Sequence, residues 1–557
     1  MRSYGKRNKE KMMKWTIKEG LEFRPETIIA RADYFKNDPK CQVIGENNVR
    51  VSMLVPRDHN SEDKVFFKRY KQRDWKDALK YIFFSSRAKA EWQAINRFVK
   101  KKIPVPVPLA FGEERRYFIL KDSCLIAEAI PLAVTLNLLQ KNIFSEGITR
   151  GKVLLKRELI KKLARLIALI HDHGIFYRDL HGGNILLEKD DSGETKIFFV
   201  DLHKARFFPF LSSGMRTYDL AKLFHSLSPK RTDCFRFFRE YAEKSGKFLP
   251  NLKENMKRIE EKSLKLLGRH EKSRTKRCLI ASSGFMVFKK RGRRIYLRRE
   301  DREKLKFIEG HILNKNPPEP NIILETKKSQ IFWMNFKKGH EESMLCIKRN
   351  NYQGLLSSLR NLPRSSRARK SWIAANGLLA RKISTPKSIA LIEDQRGWLW
   401  KESFFINEYL PQAERLNHYV LKTFSKAPPG QEKRRKEFLS RLAREIRKIH
   451  EKGIYHADLK SDNILVEEKS DGGWKFVFVD LDRVAFKKKV SIKKRIINLA
   501  QINASVADCI TIADRMRFFR EYARGTPFFS QRKRFYQRII EIGSSKNTLP
   551  YGVKFLF

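Results

Sequence analysis

Apolar positions along this chain recur first with the period of a strand and then with that of a helix, and the whole progression happens twice. Alternation with β-branched and aromatic residues predicts strands over Val49–Pro56 and Lys64–Tyr70, and again over Asn321–Phe336 and Met344–Arg349. Each group leads into a predicted helix through Ser85–Trp92 or Ser365–Trp372. A proline-punctuated loop that a helix cannot cross follows, at Ile103–Ala110 and Ile383–Ala390. Another strand pair ends in Ile126–Ile130 or Ile406–Leu410. The period then changes. Leu159, Leu163, Leu166, Ile167 and Ile170 share one helical face, as do Phe438, Leu439, Leu442, Ile446 and Ile449. Gly174 and Gly453 stand just past those helices, where a left-handed closing residue is expected.

The two progressions are copies of one another. The segment RFFREYA occurs at Arg236–Ala242 and at Arg517–Ala523, and SSRAKAEW at Ser85–Trp92 is matched by SSRARKSW at Ser365–Trp372. Between them His171–Asp201 (HDHGIFYRDLHGGNILLEKDDSGETKIFFVD) is matched by His450–Asp480 (HEKGIYHADLKSDNILVEEKSDGGWKFVFVD). The offsets are 280, 279 and 281 residues in chain order, so one long domain is duplicated in tandem and a many-unit solenoid is excluded. The expected bounds are residues 1–265 and 266–557. The β-rich parts fall at about 20–130 and 280–410, and the helical parts at about 131–265 and 411–557. The Lys- and Glu-dense stretch Glu243–Arg277 is the expected boundary and itself reads as a charged surface helix.

Composition narrows the class. With 41% hydrophobic and 11% aromatic residues in 557, each half can bury a core. The formal charge of +57 reads either as attraction to a polyanion (an anionic membrane surface, a phosphorylated substrate or nucleic acid) or as lysines and arginines dispersed over solvated faces, since they form no single arm or tail. No RNA- or DNA-binding motif accompanies it, so the nucleic-acid reading rests on charge alone. Cys41, Cys124, Cys234, Cys278, Cys346 and Cys509 are scattered without a CxxC pair, which excludes a recognisable zinc motif or secreted disulfide framework. The basic opening MRSYGKRNKEKMMKWTIKEG has no apolar segment and does not read as a signal peptide. No apolar run approaches the ~20 residues of a spanning helix. A cytoplasmic protein with at most peripheral membrane contact is expected.

The central stretch carries the chemistry. Asp179, Asn184 and Asp201 recur with the same spacing as Asp458, Asn463 and Asp480. An Asp-Leu, an Asn five residues on, and a second Asp after a strand are what phosphoryl transfer from a nucleotide needs. One carboxylate takes the proton of the attacking hydroxyl, while the Asn and the other Asp hold the metal that neutralises the phosphates. The catalytic candidates are therefore Asp179 and Asp458, and the metal candidates Asn184, Asp201, Asn463 and Asp480. A lysine for the phosphates is expected at the end of an upstream strand, and Lys68 and Lys348 fit. Glu91, on the next helix, is the expected partner of Lys68; its counterpart is Ser371, leaving the second lysine to find another acid. No GxGxxG precedes either lysine, so any phosphate-covering loop is atypical. Glu128–Ala129 and Glu408–Tyr409, after the apolar strand, either offer backbone groups to adenine or are ordinary strand ends.

Taken together these residues resemble a protein-kinase-like fold, and more narrowly the lipopolysaccharide core kinases. VDLHKARF from Val200 and VDLDRVAF from Val479 stand where protein kinases have DFG. SRAxxxW precedes the proline loop, and His450–Val466 is an unusually complete HxxGIxHxDLxxxNILV loop. The first copy departs from it at Tyr177-Arg178. The resemblance implies an α+β, two-lobed fold in tandem, ATP and Mg2+ as cofactors, and a heptose or Kdo hydroxyl as acceptor at the cytoplasmic face of the inner membrane. No APE triplet follows either metal Asp, and the chain soon turns to helix at Tyr218 and Ile497, which argues against an activation segment. Two alternatives stand beside this: an atypical bacterial Ser/Thr protein kinase, and one active unit joined to a non-catalytic kinase-like scaffold, for which Ser371 makes the second unit the candidate.

Overall fold

The computed structural model describes residues 13–21, 24–34, 41–47, 50–58, 63–71, 80–130, 133–143, 149–189, 194–245, 251–290, 292–311, 321–326, 329–338, 341–352, 365–396, 399–425, 431–526 and 528–545. The chain divides into two units, Met1–Arg269 and His270–Phe557. Val49 of the first expected strand lies outside the described residues, as do residues 327–328 of the third.

Unit one opens with strands β1 (Lys14–Ile17), β2 (Gln42–Asn47), β3 (Arg50–Pro56), β4 (Lys64–Tyr70), β5 (Pro108–Arg116) and β6 (Ile119–Glu128). They form an antiparallel sheet in the order β1-β5-β6-β4-β3-β2. Period-two alternation gives that sheet two different faces. Val65, Phe67, Cys124 and Ile126 pack with Ile28 and Ala32 of helix α1 (Pro25–Tyr34). Tyr70, Phe111 and Leu125 point the other way and join Ala88, Ala94, Ile95 and Phe98 of α2 (Arg87–Lys100) in the main core. Ser86 caps α2, its Oγ accepting from the Lys89 N–H at 3.1 Å. Ser366 caps the matching helix α9 (Arg367–Ala380) in the same way, at 3.0 Å from Arg369 N. The repeated SSRA is thus a helix start.

The helical part holds β7 (Val134–Thr135), α3 (Leu136–Ile143), α4 (Arg150–Asp172), β8 (Ile175–Phe176), β9 (Ile185–Lys189), β10 (Thr195–Phe199), β11 (Arg206–Phe207), α5 (Ser213–Leu227) and α6 (Arg231–Ser245). The apolar face of α4 is buried as expected at Leu159, Leu163, Ile167 and Ile170, while Leu166 is half-buried. The boundary stretch is helix α7 (Leu252–Arg277): Ile259 lies in the core of unit one, whereas Glu271 and Thr275 meet Arg381 in unit two.

Unit two repeats the plan with β12 (Phe285–Lys290), β13 (Arg293–Arg298), α8 (Lys304–His311), β14 (Asn321–Thr326), β15 (Ser329–Lys338), β16 (Glu341–Asn351), α9, β17 (Ser388–Arg396) and β18 (Leu399–Glu408). Its helical part follows as β19 (Glu414–Arg415), α10 (Leu416–Phe424), α11 (Glu432–Glu451), β20 (Ile454–His456), β21 (Ile464–Glu468), β22 (Trp474–Phe478), β23 (Val484–Phe486), α12 (Ile492–Ser505), α13 (Ile512–Ala523) and α14 (Arg532–Ser545). The sheet order is β12-β13-β17-β18-β16-β15-β14, with β12 as an added edge. Two expectations need correction. Asn321–Phe336 is not one strand but the hairpin β14–β15, and the sheet begins earlier, at β12 and β13. Those two strands are rich in Lys and Arg (FMVFKK, RRIYLR), which hides their alternation in the surrounding charge.

Candidate active site

In unit one, Lys68 and Tyr70 lie two residues apart on β4 and so share the sheet face that looks at α2. Glu91, buried on α2, meets both: Lys68 Nζ donates to its carboxylate at 2.8 and 2.9 Å, and the Tyr70 hydroxyl donates to Oε2. Lys68 also donates to Asp201 Oδ1 at 2.9 Å, and Arg50 reaches Asp201 Oδ2 at 2.8 Å. His203 Nδ1 is 2.7 Å from Asp201 Oδ1. Burial works against ionisation of Asp201, but Lys68, His203 and Arg50 together outweigh it and hold its carboxyl far below the usual carboxylate range. Burial and the facing Glu91 and Asp201 keep the Tyr70 phenol protonated, as its donor role requires.

The loop bearing Asp179 is fastened by its own backbone. Asn184 Nδ2 donates to Asp179 O at 3.1 Å, and Val200 N donates to Asn184 O at 3.1 Å, which ties the loop to the strand before Asp201. Asp201 sits in the left-handed region at φ 64° and ψ 51°, a conformation short polar residues tolerate better than most. Gly174 does the same at φ 71°, and a Cβ there would lie 1.8 Å from Phe208 O, so only glycine lets the chain after α4 pass beneath β11. The Asp179 carboxylate accepts from Lys204 and Lys222. Burial raises its pKa, but those two ammonium groups more than reverse this and hold it lowered.

Unit two repeats the frame. Asn463 Nδ2 donates to Asp458 O at 2.8 Å, Val479 N donates to Asn463 O at 3.0 Å, and Asp480 is left-handed at φ 54° and ψ 60°. Lys348 Nζ donates to Asp480 Oδ1, and this lysine outweighs burial to lower the Asp480 pKa. Ser371 is buried at the place of Glu91, and among the described residues no helix acid replaces it: the nearby Glu393 is taken by Arg369 and Ser366. Lys348, Glu408, Tyr409, Asp458, Asn463 and Asp480 all line one cleft of about 600 Å³. Thr326 and Ser329 of the β14–β15 hairpin line it too. Glu408 N donates to Lys387 O and Tyr409 N to Met344 O, both at 2.9 Å or less, and Glu408 O accepts from Asn407 Nδ2 at 2.9 Å. Glu128 N is likewise bonded, to Val107 O at 2.9 Å, with Ala129 next in the chain after β6.

Several functional partners escaped the sequence pattern. The tyrosine of each RFFREYA holds the histidine that opens the central stretch: Tyr241 is 2.7 Å from His171 Nδ1, and Tyr522 is 2.8 Å from His450 Nδ1. Asp219 accepts from the Tyr177 and Arg178 N–H groups at 2.7 and 2.9 Å. Its counterpart Asn498 donates to His456 O at 2.6 Å. Where unit two has His456 bonding Val479 O at 3.0 Å, unit one has the Tyr177 hydroxyl donating to Val200 O at 2.5 Å. The departure at Tyr177 therefore keeps the contact. In the sequence Tyr241 and Tyr522 are marked by the repeated RFFREYA, whereas Asp219 is answered by Asn498 and carries no such mark.

The model of the lipopolysaccharide kinase (Kdo/WaaP) family matches residues 37–241 and 342–522. This chain belongs to that family. It is a kinase with two tandem protein-kinase-like domains, each matched separately. Among solved structures, it is similar to WaaP in complex with acyl carrier protein, at 21% identity over 46% of this chain and 99% of that one, TM-score 0.33. It is also similar to the kinase domain of Mycobacterium tuberculosis PknI, at 12% identity over 40% and 94%, TM-score 0.25. No curated protein matches it by sequence. Among the described residues, no helix is long and apolar enough to cross a membrane.

Proposed function

We propose that the protein transfers the γ-phosphate of ATP to a heptose or Kdo hydroxyl of the lipopolysaccharide inner core, working as a peripheral enzyme at the cytoplasmic face of the inner membrane. The observation that carries this is the twice-built set of lysine, base Asp, Asn and second Asp, within a family of lipopolysaccharide kinases. Asp179 or Asp458 accepts the proton as the acceptor oxygen bonds to phosphorus and the bond to the β-phosphate oxygen breaks, releasing ADP. Lys68 and Lys348 hold phosphate oxygens. The amide of Asn184 or Asn463 and the carboxylate of Asp201 or Asp480 are hard oxygen donors that suit Mg2+. A bound Mg2+ would supply neutralisation of charge on the phosphates. Glu128–Ala129 and Glu408–Tyr409 border the base.

The ammonium groups of Lys204 and Lys222 beside Asp179 favour an acceptor whose reacting hydroxyl lies near an anionic group, as a phosphate or carboxylate of a core sugar does. One observation favours a second reading, in which unit two serves as a nucleotide-binding scaffold: Ser371 leaves Lys348 without a helix acid. The test is transfer of labelled phosphate from ATP to purified lipopolysaccharide by the wild type, Asp179→Asn and Asp458→Asn. Loss of a general base should lower transfer by about 100-fold or more in each working unit. Label on protein but not on lipopolysaccharide would select the Ser/Thr kinase alternative. Full activity of Asp458→Asn would select the scaffold.

A further inference from the structure

The hairpin joining β5 and β6 of unit one turns on two aromatic residues. Arg116 pairs with Ile119, so Tyr117 and Phe118 alone form the turn, at φ 49° and 64°. A two-residue turn with both φ positive is the setting for Asn-Gly, and aromatic residues there hold a conformation they rarely adopt. The rings stand out from the fold: Tyr117 is 83% exposed and Phe118 82%. A second exposed pair lies beside them, with Phe83 at 85% and Phe84 at 64%. Arg115 fastens the two segments together, its Nη1 donating to Tyr81 O at 2.9 Å and to Phe118 O at 3.2 Å.

The collar around these rings is basic. Lys80, Arg115, Arg116 and Lys121 are all exposed, and the Arg116 guanidinium stands 5.7 Å from the Tyr117 ring centre. Of the acids on the hairpin, Glu113 is bonded to Arg115 Nε at 3.0 Å and Glu114 is half-buried. Strained, outward aromatics mark a site where conformation serves something other than folding. Aromatic tips inside a Lys/Arg collar fit the boundary between acyl chains and anionic headgroups, since the rings enter the interface while the cations stay with the phosphates.

We infer that the Phe83–Phe84 and Tyr117–Phe118 tip of unit one docks on an anionic lipid bilayer. Ten residues of β6 separate Phe118 from Glu128 at the other end of the strand, about 33 Å at ~3.3 Å per residue, so the anchor lies away from the nucleotide edge. The inference rests on the membrane contact proposed above and not on any particular sugar acceptor. The matching turn of unit two, Gly397-Trp398, lies outside the described residues.

Co-sedimentation of the full chain with phosphatidylcholine vesicles, with and without phosphatidylglycerol, tests it. The wild type is expected to pellet with the anionic vesicles only. Phe83→Ser with Phe84→Ser should weaken that binding roughly tenfold or more. Tyr117→Asn with Phe118→Gly should do the same while raising the melting temperature, because Asn-Gly suits the turn, so lost binding in that variant is not lost folding. A wild type that ignores anionic vesicles overturns both the membrane contact and this surface. Variants that bind like the wild type overturn the surface alone, and are the outcome expected if the tip serves a protein partner or if dispersed charge does the binding.

Discussion

Unit one and unit two share their arrangement of lysine, Asp, Asn and second Asp but not the electrostatics around it. In unit one Lys68 is one member of a four-charge group with Arg50, Glu91 and Asp201, and Tyr70 adds a hydroxyl to Glu91. In unit two Lys348 faces Asp480. The register explains where the rest went. Arg50 pairs with Tyr70 across β3 and β4, and Ser329 pairs with Asn350 across β15 and β16, so Arg50, Tyr70 and Glu91 are answered by Ser329, Asn350 and Ser371. A cation and an acid have been exchanged together, and each cleft keeps these charges balanced. Asn350 is buried, and among the described residues its side-chain amide has no hydrogen-bond partner. The substituted cleft is therefore less well satisfied than the ionic one. The comparison teaches that the same lysine and Asp can sit in two settings that differ by the loss of a cation and an acid together, which leaves no charge unpaired.

The largest effect should come from breaking that pairing. Glu91→Ser strands Lys68 and Arg50 on Asp201 and should cost unit one about 3 kcal/mol of stability, with a higher KM for ATP. Adding Arg50→Ser should restore part of both, and denaturant unfolding of the single and double variants measures the coupling. Additive losses would show that the two residues are not a unit. In the other direction, Ser371→Glu should lower the KM for ATP of unit two; no change would count against a shared clamp design.

A second difference is acid sensitivity. Burial holds the His450 imidazole down to about 4, and it lowers His456 as well. Both stay neutral in the fold and take up a proton in the unfolded chain near its ordinary pKa of about 6.5. Stability they contribute is thus complete above that pH and is lost as the pH falls towards 4, by up to about 3 to 4 kcal/mol for His450 at ~1.4 kcal/mol per pH unit. Unit one has Tyr177 in place of His456, and the histidines that burial lowers there, His173, His181 and His225, are half-buried and so less cut off from water than His450 and His456. Hydrogen exchange at pH 5 should therefore rise more in Glu432–Glu451 than in Arg150–Asp172. Equal increases would refute the asymmetry.

The smallest effect expected is at the acceptor side. Lys222 beside Asp179 is matched by Gln501, which bonds Leu459 N and Ala457 O instead. Lys222→Gln should raise the KM for lipopolysaccharide severalfold, about 1 kcal/mol, with kcat nearly kept. Phosphatase-treated lipopolysaccharide should show a smaller change. A fall in kcat alone would assign Lys222 to the chemistry rather than to acceptor binding.

Much of this was legible in the chain because the residues concerned are close in sequence or repeated. Asp179, Asn184 and Asp201 lie within one stretch, and duplication showed twice that their spacing matters; the period change after Ile130 separated the strand-rich part from the helical part. The SSRA segment announced a helix start, and Gly174 and Gly453 announced helix ends. Tertiary structure alone decided which polar side chains meet. Arg50 reaches Asp201 across 151 positions of chain, Tyr241 reaches His171 across 70, and Lys222 reaches Asp179 across 43. In a sequence holding 119 lysines and arginines, no local signal separates those few cations from the solvated ones. The physical reason is that a charge acquires a role from its neighbours and its burial, and both are set only when the sheet, α2 and the loop after β10 close on one another.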